Sequence, residues 1–235
     1  MKMTQQPAAR EQVRCSHDGV LGAREARIAQ LAAHCNGAAR APRQGERPCS
    51  LAQDRGRYHV RMSDAFRIEP LSRLSEREVD GLSDVLIDCV QGGASVSFMW
   101  PISHEKASAF WRGLAAGVEC GECLVLAAFD AEERLVGTVQ LVLKLPENQP
   151  HRADLAKMLV HRSARRQGLG ALLLRAAEAA ALAAGRTLLV LDTASQDAGR
   201  LYARHGWQRV GEIPGYALSP GGGECATTVF YKSLG

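Results

Sequence analysis

Residues 160–170 read Val160-His161-Arg162-Ser163-Ala164-Arg165-Arg166-Gln167-Gly168-Leu169-Gly170. A strand pattern, Ala153–Val160, ends where this stretch begins, and a long apolar helical pattern, Gly168–Ala184, starts where it ends. A strand therefore runs into a basic turn and then into the N-terminus of a helix. The first turn of a helix has unpaired N–H groups and a partial positive charge, so the segment is built for an anion. Gly168 and Gly170 remove side chains from the approach to the backbone, and Arg165 and Arg166 add charge. A phosphate loop of the Walker kind needs Lys-Ser/Thr after its last glycine, which Leu169-Gly170-Ala171 does not supply. A dinucleotide fingerprint needs a third glycine where Leu173 stands, and it needs a tighter turn.

Working outward, Phe66–Pro70 reads as a short strand. Ser75 and Glu78 have capping-box spacing and open a helix with Val79, Leu82, Leu86 and Val90 on one face, ended at Gln91-Gly92-Gly93. A second helix is predicted from Ser103 to about Val118. Cys123–Phe129 and Leu135–Leu143 form a hairpin around Asp130–Arg134. After the long helix come a strand at Thr187–Asp192, a helix at Gln196–His205, and strands at Trp207–Ile213 and Ala226–Lys232. The strand–helix–strand unit spanning Ala153–Asp192 implies one parallel pair with a right-handed crossover. The expectation is an α/β domain: a mixed, mostly antiparallel sheet with a central parallel pair and helices on both faces.

The spacing Arg165-x-x-Gly168-x-Gly170 after a strand ending at Val160 resembles motif A of the GNAT N-acetyltransferases. Leu201-Tyr202-Ala203-Arg204-His205-Gly206-Trp207 is similar to the helix-to-strand segment of the same superfamily, and the element order agrees over residues 66–234. Val90–Val96, Lys157–Val160, Leu191–Thr193 and Gly211–Tyr216 resemble the tabtoxin-resistance acetyltransferase branch in particular. The chain departs from the family at Arg162, where a proline is common, and at Ser195 or Gln196, where asparagine is frequent.

The resemblance implies a parallel pair splayed at the cofactor site, with acetyl-CoA as cosubstrate and no metal. It places the cofactor on Met158, Leu159, Val160, Arg165, Arg166, Gln167, Gly168, Leu169, Gly170 and Ser195. The N–H groups near Met158–Leu159 would face the thioester, and Val160 would pair with the pantetheine arm. Tyr202, at the position of the family tyrosine, is the expected acid for the leaving thiolate; a buried core tyrosine is the alternative. Asp154 and Asp192 are the candidate bases, acting directly or through water, against a plainer role in salt bridges or strand ends. Simple strand alternation puts Asp154 and Met158 on one face. Gly92–Phe98 and Pro214–Gly223 would flank the amine cleft, with Glu105, Trp100 and Trp111 as wall or core. The implied activity is acetyl transfer to a primary amine of a small molecule, in the context of antibiotic or toxin resistance. A peptide or protein acceptor and a non-catalytic CoA-binding module are the alternatives.

Composition bounds the rest. The chain has 235 residues, 46% hydrophobic and 23% charged, and a net charge of +4, which is ordinary globular usage. Residues 1–61 hold eleven basic and five acidic side chains, and 62–235 hold eighteen and twenty. The positive excess thus lies wholly in the first quarter, which is read as a disordered extension, 1–61, with at most a short helix at Ala23–His34. The acetyltransferase domain is expected at 62–235. Without lysine blocks or interleaved aromatics, the extension is not expected to bind nucleic acid. No apolar run spans a membrane and the start lacks a secretory core. Seven scattered cysteines fit a reducing, cytoplasmic setting. Cys120-x-x-Cys123 enters a strand rather than a helix, so it does not read as a redox motif. Oligomeric state is left open, a homodimer being one outcome.

Overall fold

The computed structural model describes residues 65–235 and the backbone of Val60–Ser63. The expected extension, including Ala23–His34, lies outside the described residues apart from the two positions that begin the first strand. The elements are β1 (Val60–Ser63), β2 (Phe66–Pro70), α1 (Glu76–Gln91), α2 (His104–Arg112), α3 (Ala115–Glu119), β3 (Cys123–Phe129), β4 (Leu135–Val142), β5 (Arg152–Val160), α4 (Leu169–Ala183), β6 (Leu188–Thr193), α5 (Gln196–Arg204), β7 (Gln208–Leu218) and β8 (Glu224–Ser233). A single 3₁₀ turn, Arg162–Ala164, lies between β5 and α4.

The sheet order is β1-β2-β3-β4-β5-β6-β8-β7. Every neighbouring pair is antiparallel except β5–β6. Strand alternation sends Val125, Ala127 and Phe129 of β3 to one face, where they pack with Leu82, Leu86 and Trp111 of α1 and α2. Leu126 and Ala128 point the other way, into the core built on Leu169, Leu173, Ala177 and Ala180 of α4. That spacing of three and four residues is one helix face. Tyr202 of α5 belongs to the same core. The sheet therefore separates α1, α2 and α3 from α4 and α5.

Local chemistry explains the element ends. Ser75 and Glu78 form the reciprocal capping box at α1, with the Ser75 N–H donating to Glu78 Oε2 at 2.7 Å. Gly92 caps the other end of α1. At Gly137 a Cβ would stand 3.1 Å from Leu169 and Leu173 and 3.2 Å from the Leu159 carbonyl, so a bare backbone lets α4 lie close on β4.

Three expectations are corrected. The helix predicted from Ser103 to Val118 is two helices, α2 ending at Arg112 with Gly113 as its C-cap and α3 beginning at Ala115, because the helix is interrupted at a glycine. The strand predicted to stop at Ile213 runs on to Leu218. Residues 214–216 bulge opposite position 226, between the pairs Ile213↔Thr227 and Ala217↔Cys225. β7 is an edge strand, where Pro214 is tolerated, and Gly215 supplies the left-handed φ of 60°. A third strand residue set, Val60–Ser63, pairs with β2 where no strand was expected.

Candidate active site

The parallel pair is open. β5 and β6 are registered only at Arg152↔Leu188, Ala153↔Leu189 and Asp154↔Val190. Beyond Asp154 the two strands part, while β5 stays on β4 and β6 stays on β8. A gap therefore opens in the middle of the sheet, toward the C-terminal ends of both strands, which is where ligands bind in α/β sheets.

β5 is deformed beside this gap. On β4 one residue, Val139, separates Thr138 from Gln140; on β5 two residues, Lys157 and Met158, separate their partners Ala156 and Leu159. The extra residue makes a bulge, and Lys157 occupies it with φ 46°. A bulge leaves backbone hydrogen-bonding groups off the ladder, which supports the expectation that N–H groups near Met158–Leu159 are available to an oxyanion.

The bulge also corrects the side-chain pattern. Ala153 and Leu155 point into the α4 core, so Asp154 faces α1–α3. After the extra residue the alternation has flipped: Leu159 packs on the α1–α2 side, and Met158 and Val160 pack on the α4 side. Asp154 and Met158 are therefore on opposite faces, not the same one. On β6, Leu189 and Leu191 point into the α4 core, which places Asp192 on the face of Asp154.

Tyr202 reaches the gap from the α4 side. Its hydroxyl donates to Met158 Sδ at 3.8 Å, and its ring packs on Trp207 and Phe230. It is 4% exposed. Burial, with the nearby Asp192 carboxylate adding to it, pushes its pKa well above the ordinary tyrosine value. The hydroxyl thus keeps its proton at neutral pH and can donate a hydrogen bond. Asp192 Oδ2 accepts from Thr227 Oγ1 at 2.9 Å, and Asp154 pairs with Arg152 at 3.2 Å. The strand-end hydrogen bond and the salt bridge that were the plainer readings both exist, on a face that also opens on the gap.

The turn after β5 is shaped for an anion. Gly168 is the N-cap of α4 with φ 82°, and a Cβ there would meet nothing within 4 Å. No side chain caps the helix and no acid stands in its first turn, so its leading N–H groups keep their polarity. Gly170 has a different role: a Cβ would stand 3.2 Å from Leu201 and 3.7 Å from Met158, so it lets α4 pack against α5. Arg166 has φ 62° and is exposed, with no ion pair among the described residues. Arg165 is also exposed but is bonded, to Asp88 and the Val160 carbonyl. Gln167 donates to the Ser163 carbonyl at 2.8 Å. Ser195 Oγ caps α5 by accepting from the Ala198 N–H at 3.2 Å, and as a hydroxyl it can still donate.

The loop after α1 and the β7–β8 hairpin meet each other. The Trp100 N–H donates to the Pro220 carbonyl at 2.9 Å, and Ser95 Oγ donates to the Leu218 carbonyl at 3.5 Å. Phe98 packs edge-on to Phe110, and Phe110 to Trp111, which is wholly buried core; Lys157 lies 5.3 Å over the Phe110 ring. Asp88 and Thr227 had escaped the sequence reading. For Asp88 a signal was present, a carboxylate inside the apolar run 85–90. Among the described residues no group of His, Cys, Asp and Glu is arranged to hold a metal, and no helix is long and apolar enough to cross a membrane.

Comparison with known proteins agrees with this geometry. A family model for an acetyltransferase (GNAT) domain matches residues 121–209. Among solved structures, a GNAT superfamily phosphinothricin acetyltransferase from Sinorhizobium meliloti in complex with acetyl-CoA superposes with TM-score 0.59 at 14% identity, over 72% of this chain and 89% of that one. A GCN5-related N-acetyltransferase from Kribbella flavida gives 0.59 at 17% identity, over 73% and 99%. A ribosomal-protein-alanine N-acetyltransferase from Brucella melitensis gives 0.56 at 19%, over 71% and 99%. At such identities the likeness is one of fold. The family match spans β3 to the start of β7, and so includes the bulged strand, the anion turn and Tyr202: over residues 121–209 the chain matches a GNAT acetyltransferase domain.

Proposed function

We propose that this protein transfers an acetyl group from acetyl-CoA to a primary amine of a small molecule, by direct attack in a ternary complex. The observation that carries the reading is the open β5–β6 seam, with an uncapped helix N-terminus at one end, Tyr202 on one face and Asp154 and Asp192 on the other.

The residues present fit the cosubstrate. The N-terminus of α4 with Gly168, Leu169 and Gly170 holds a pyrophosphate, Arg166 supplies the outward charge, and Gln167 stabilises the turn. Val160, at the far end of β5 where β6 has departed, offers its backbone N–H to the pantetheine arm, its carbonyl being held by Arg165, and Ser195 stands across the gap. Acetyl-CoA supplies an activated acyl group as a thioester. The Met158–Leu159 backbone at the bulge donates to the carbonyl oxygen as negative charge develops there. Asp154 and Asp192 take the proton of the attacking ammonium, directly or through water, so that nitrogen attacks as the free amine. Tyr202 gives its proton to the departing thiolate, for which a protonated phenol is suited. The loop Gly92–Phe98 and the hairpin tip near Ser219–Gly223 shape the acceptor side.

The catalytic unit is residues 62–235, and 1–61 is an appendage dispensable for transfer. A cytoplasmic enzyme of this kind would acetylate, and thereby inactivate, an amine-bearing toxin or antibiotic. The test is calorimetric binding of acetyl-CoA followed by an acceptor screen of small amines and peptides. Thiol release with a small amine supports the proposal. Transfer to peptides alone overturns the acceptor class, and binding without transfer to any acceptor supports a CoA-binding module instead.

A further inference from the structure

Asp88 is a buried carboxylate with no part in the transfer just described. It stands near the end of α1, is 7% exposed, and receives its donors from a single place, the turn between β5 and α4. Asp88 Oδ2 accepts from the Arg162 N–H at 2.9 Å and from Arg165 Nη2 at 3.4 Å. Asp88 Oδ1 accepts from Arg162 Nε, and His161 Nε2 lies 3.5 Å from it. Arg162 Nη2 adds a bond to Gln91 Oε1 at 3.0 Å, one turn further along the helix. Arg165 is fixed from its other side by the Val160 carbonyl, at 3.0 Å from Nε, and lies 3.7 Å from Cys89 Sγ.

We infer that Asp88 is a positioning residue for the pyrophosphate turn. It acts through Arg162 and Arg165, and rests on the reading of that turn as the cofactor site. The turn has two left-handed residues, Arg166 at φ 62° and Gly168 at φ 82°. The first is not glycine, so its conformation is costly and persists only where the surroundings hold it. Asp88 holds both ends of the segment that precedes it: the main chain at Arg162 and the side chain at Arg165. A carboxylate so deeply buried needs such donors in return. The result divides the labour of two adjacent arginines. Arg165 is a strut, bonded to Asp88 of α1, and its neighbour Arg166, unpaired among the described residues, is the charge that meets the anion. The family proline expected at position 162 would rigidify the turn by its ring; the Arg162–Asp88 pair does so by charge.

Asp88→Asn removes the charge at nearly constant shape. Binding of acetyl-CoA and of S-acetylpantetheine, which lacks the pyrophosphate, is measured by calorimetry on the full chain, wild type and variant, with thermal unfolding as the control. The expected result is acetyl-CoA affinity lowered on the order of tenfold, with S-acetylpantetheine affinity unchanged. An unchanged or tighter acetyl-CoA affinity overturns the inference, and so does equal weakening for both ligands, which marks a general structural role. If Asp88→Asn does not fold, Arg162→Gln at the exposed end of the pair carries the test, with a smaller effect of the same selectivity expected and the same outcomes decisive. Wild-type protein that fails to bind acetyl-CoA overturns the functional reading and this inference with it, whereas wild-type binding with an unaffected variant overturns the inference alone.

Discussion

The two edges of β6 differ. On one side all six residues, Leu188–Thr193, pair with β8; on the other only the first three pair with β5. Both partners are long enough to continue, so length does not set the limit. The difference lies in the partner. β8 follows the twist of β6 through to Thr228, whereas β5 carries a bulge at Lys157–Met158 and remains bound to β4. A bulge bends its strand and increases local twist, so β5 turns away from β6 beyond Asp154. The sealed edge gives rigidity. In the proposed reaction the open edge is where Tyr202 and the two aspartates, on opposite faces of the sheet, would meet one carbonyl.

This contrast can be tested hardest at Tyr202. Tyr202→Phe keeps the ring that packs on Trp207 and Phe230 and removes the hydroxyl. Turnover should fall on the order of 100-fold with acetyl-CoA affinity retained; unchanged turnover in a steady-state assay would remove Tyr202 as the acid. Next in size is Gly137→Val. Its side chain would press on Leu169, Leu173 and the Leu159 carbonyl and push α4 off β4. A loss of about 1–3 kcal/mol in urea unfolding is expected, and no loss would show that the close approach of α4 is not required. Smaller again is Lys157→Gly. Lys157 sits at φ 46°, and relieving that strain should offset its lost contacts, leaving stability unchanged or raised by up to about 1 kcal/mol in the same measurement. A marked loss would mean that the lysine side chain, not the bulge, holds β5 open.

The smallest effect is seen at alkaline pH. The pKa of Tyr202 is higher folded than unfolded. Its contribution to stability is therefore complete below the ordinary tyrosine value of about 10 and declines as pH rises above it, because only the unfolded chain then releases the proton. Thermal unfolding of wild type should show a steeper alkaline decline than Tyr202→Phe. Parallel curves would place the hydroxyl in water.

Element by element, the fold was legible. The capping box, the hairpin turn, the long Ala/Leu helix and the basic glycine turn are local signals, and each produced the element expected of it. The failures were also physical. The bulge on β5 has no local signature: Lys157 is neither glycine nor asparagine, and its left-handed conformation is imposed by the mismatch with β4. Without it, alternation put Asp154 and Met158 on one face. β7 ran past Pro214 because an edge strand has no second neighbour demanding that N–H. Arg165 and Arg166 read alike in the chain, since nothing near them in sequence distinguishes them; Asp88, seventy-odd positions away, does.

The sequence by itself determined that a strand, an anion-seeking turn and a helix follow one another at Val160–Gly170, and that Tyr202 lies on the next helix beyond. These depend on backbone geometry within a few residues. Only the tertiary structure decided where the sheet opens, which face each aspartate takes and which arginine is bonded to Asp88. Each of those depends on a mismatch or a buried charge between segments distant in the chain, and neither leaves a mark on the local pattern.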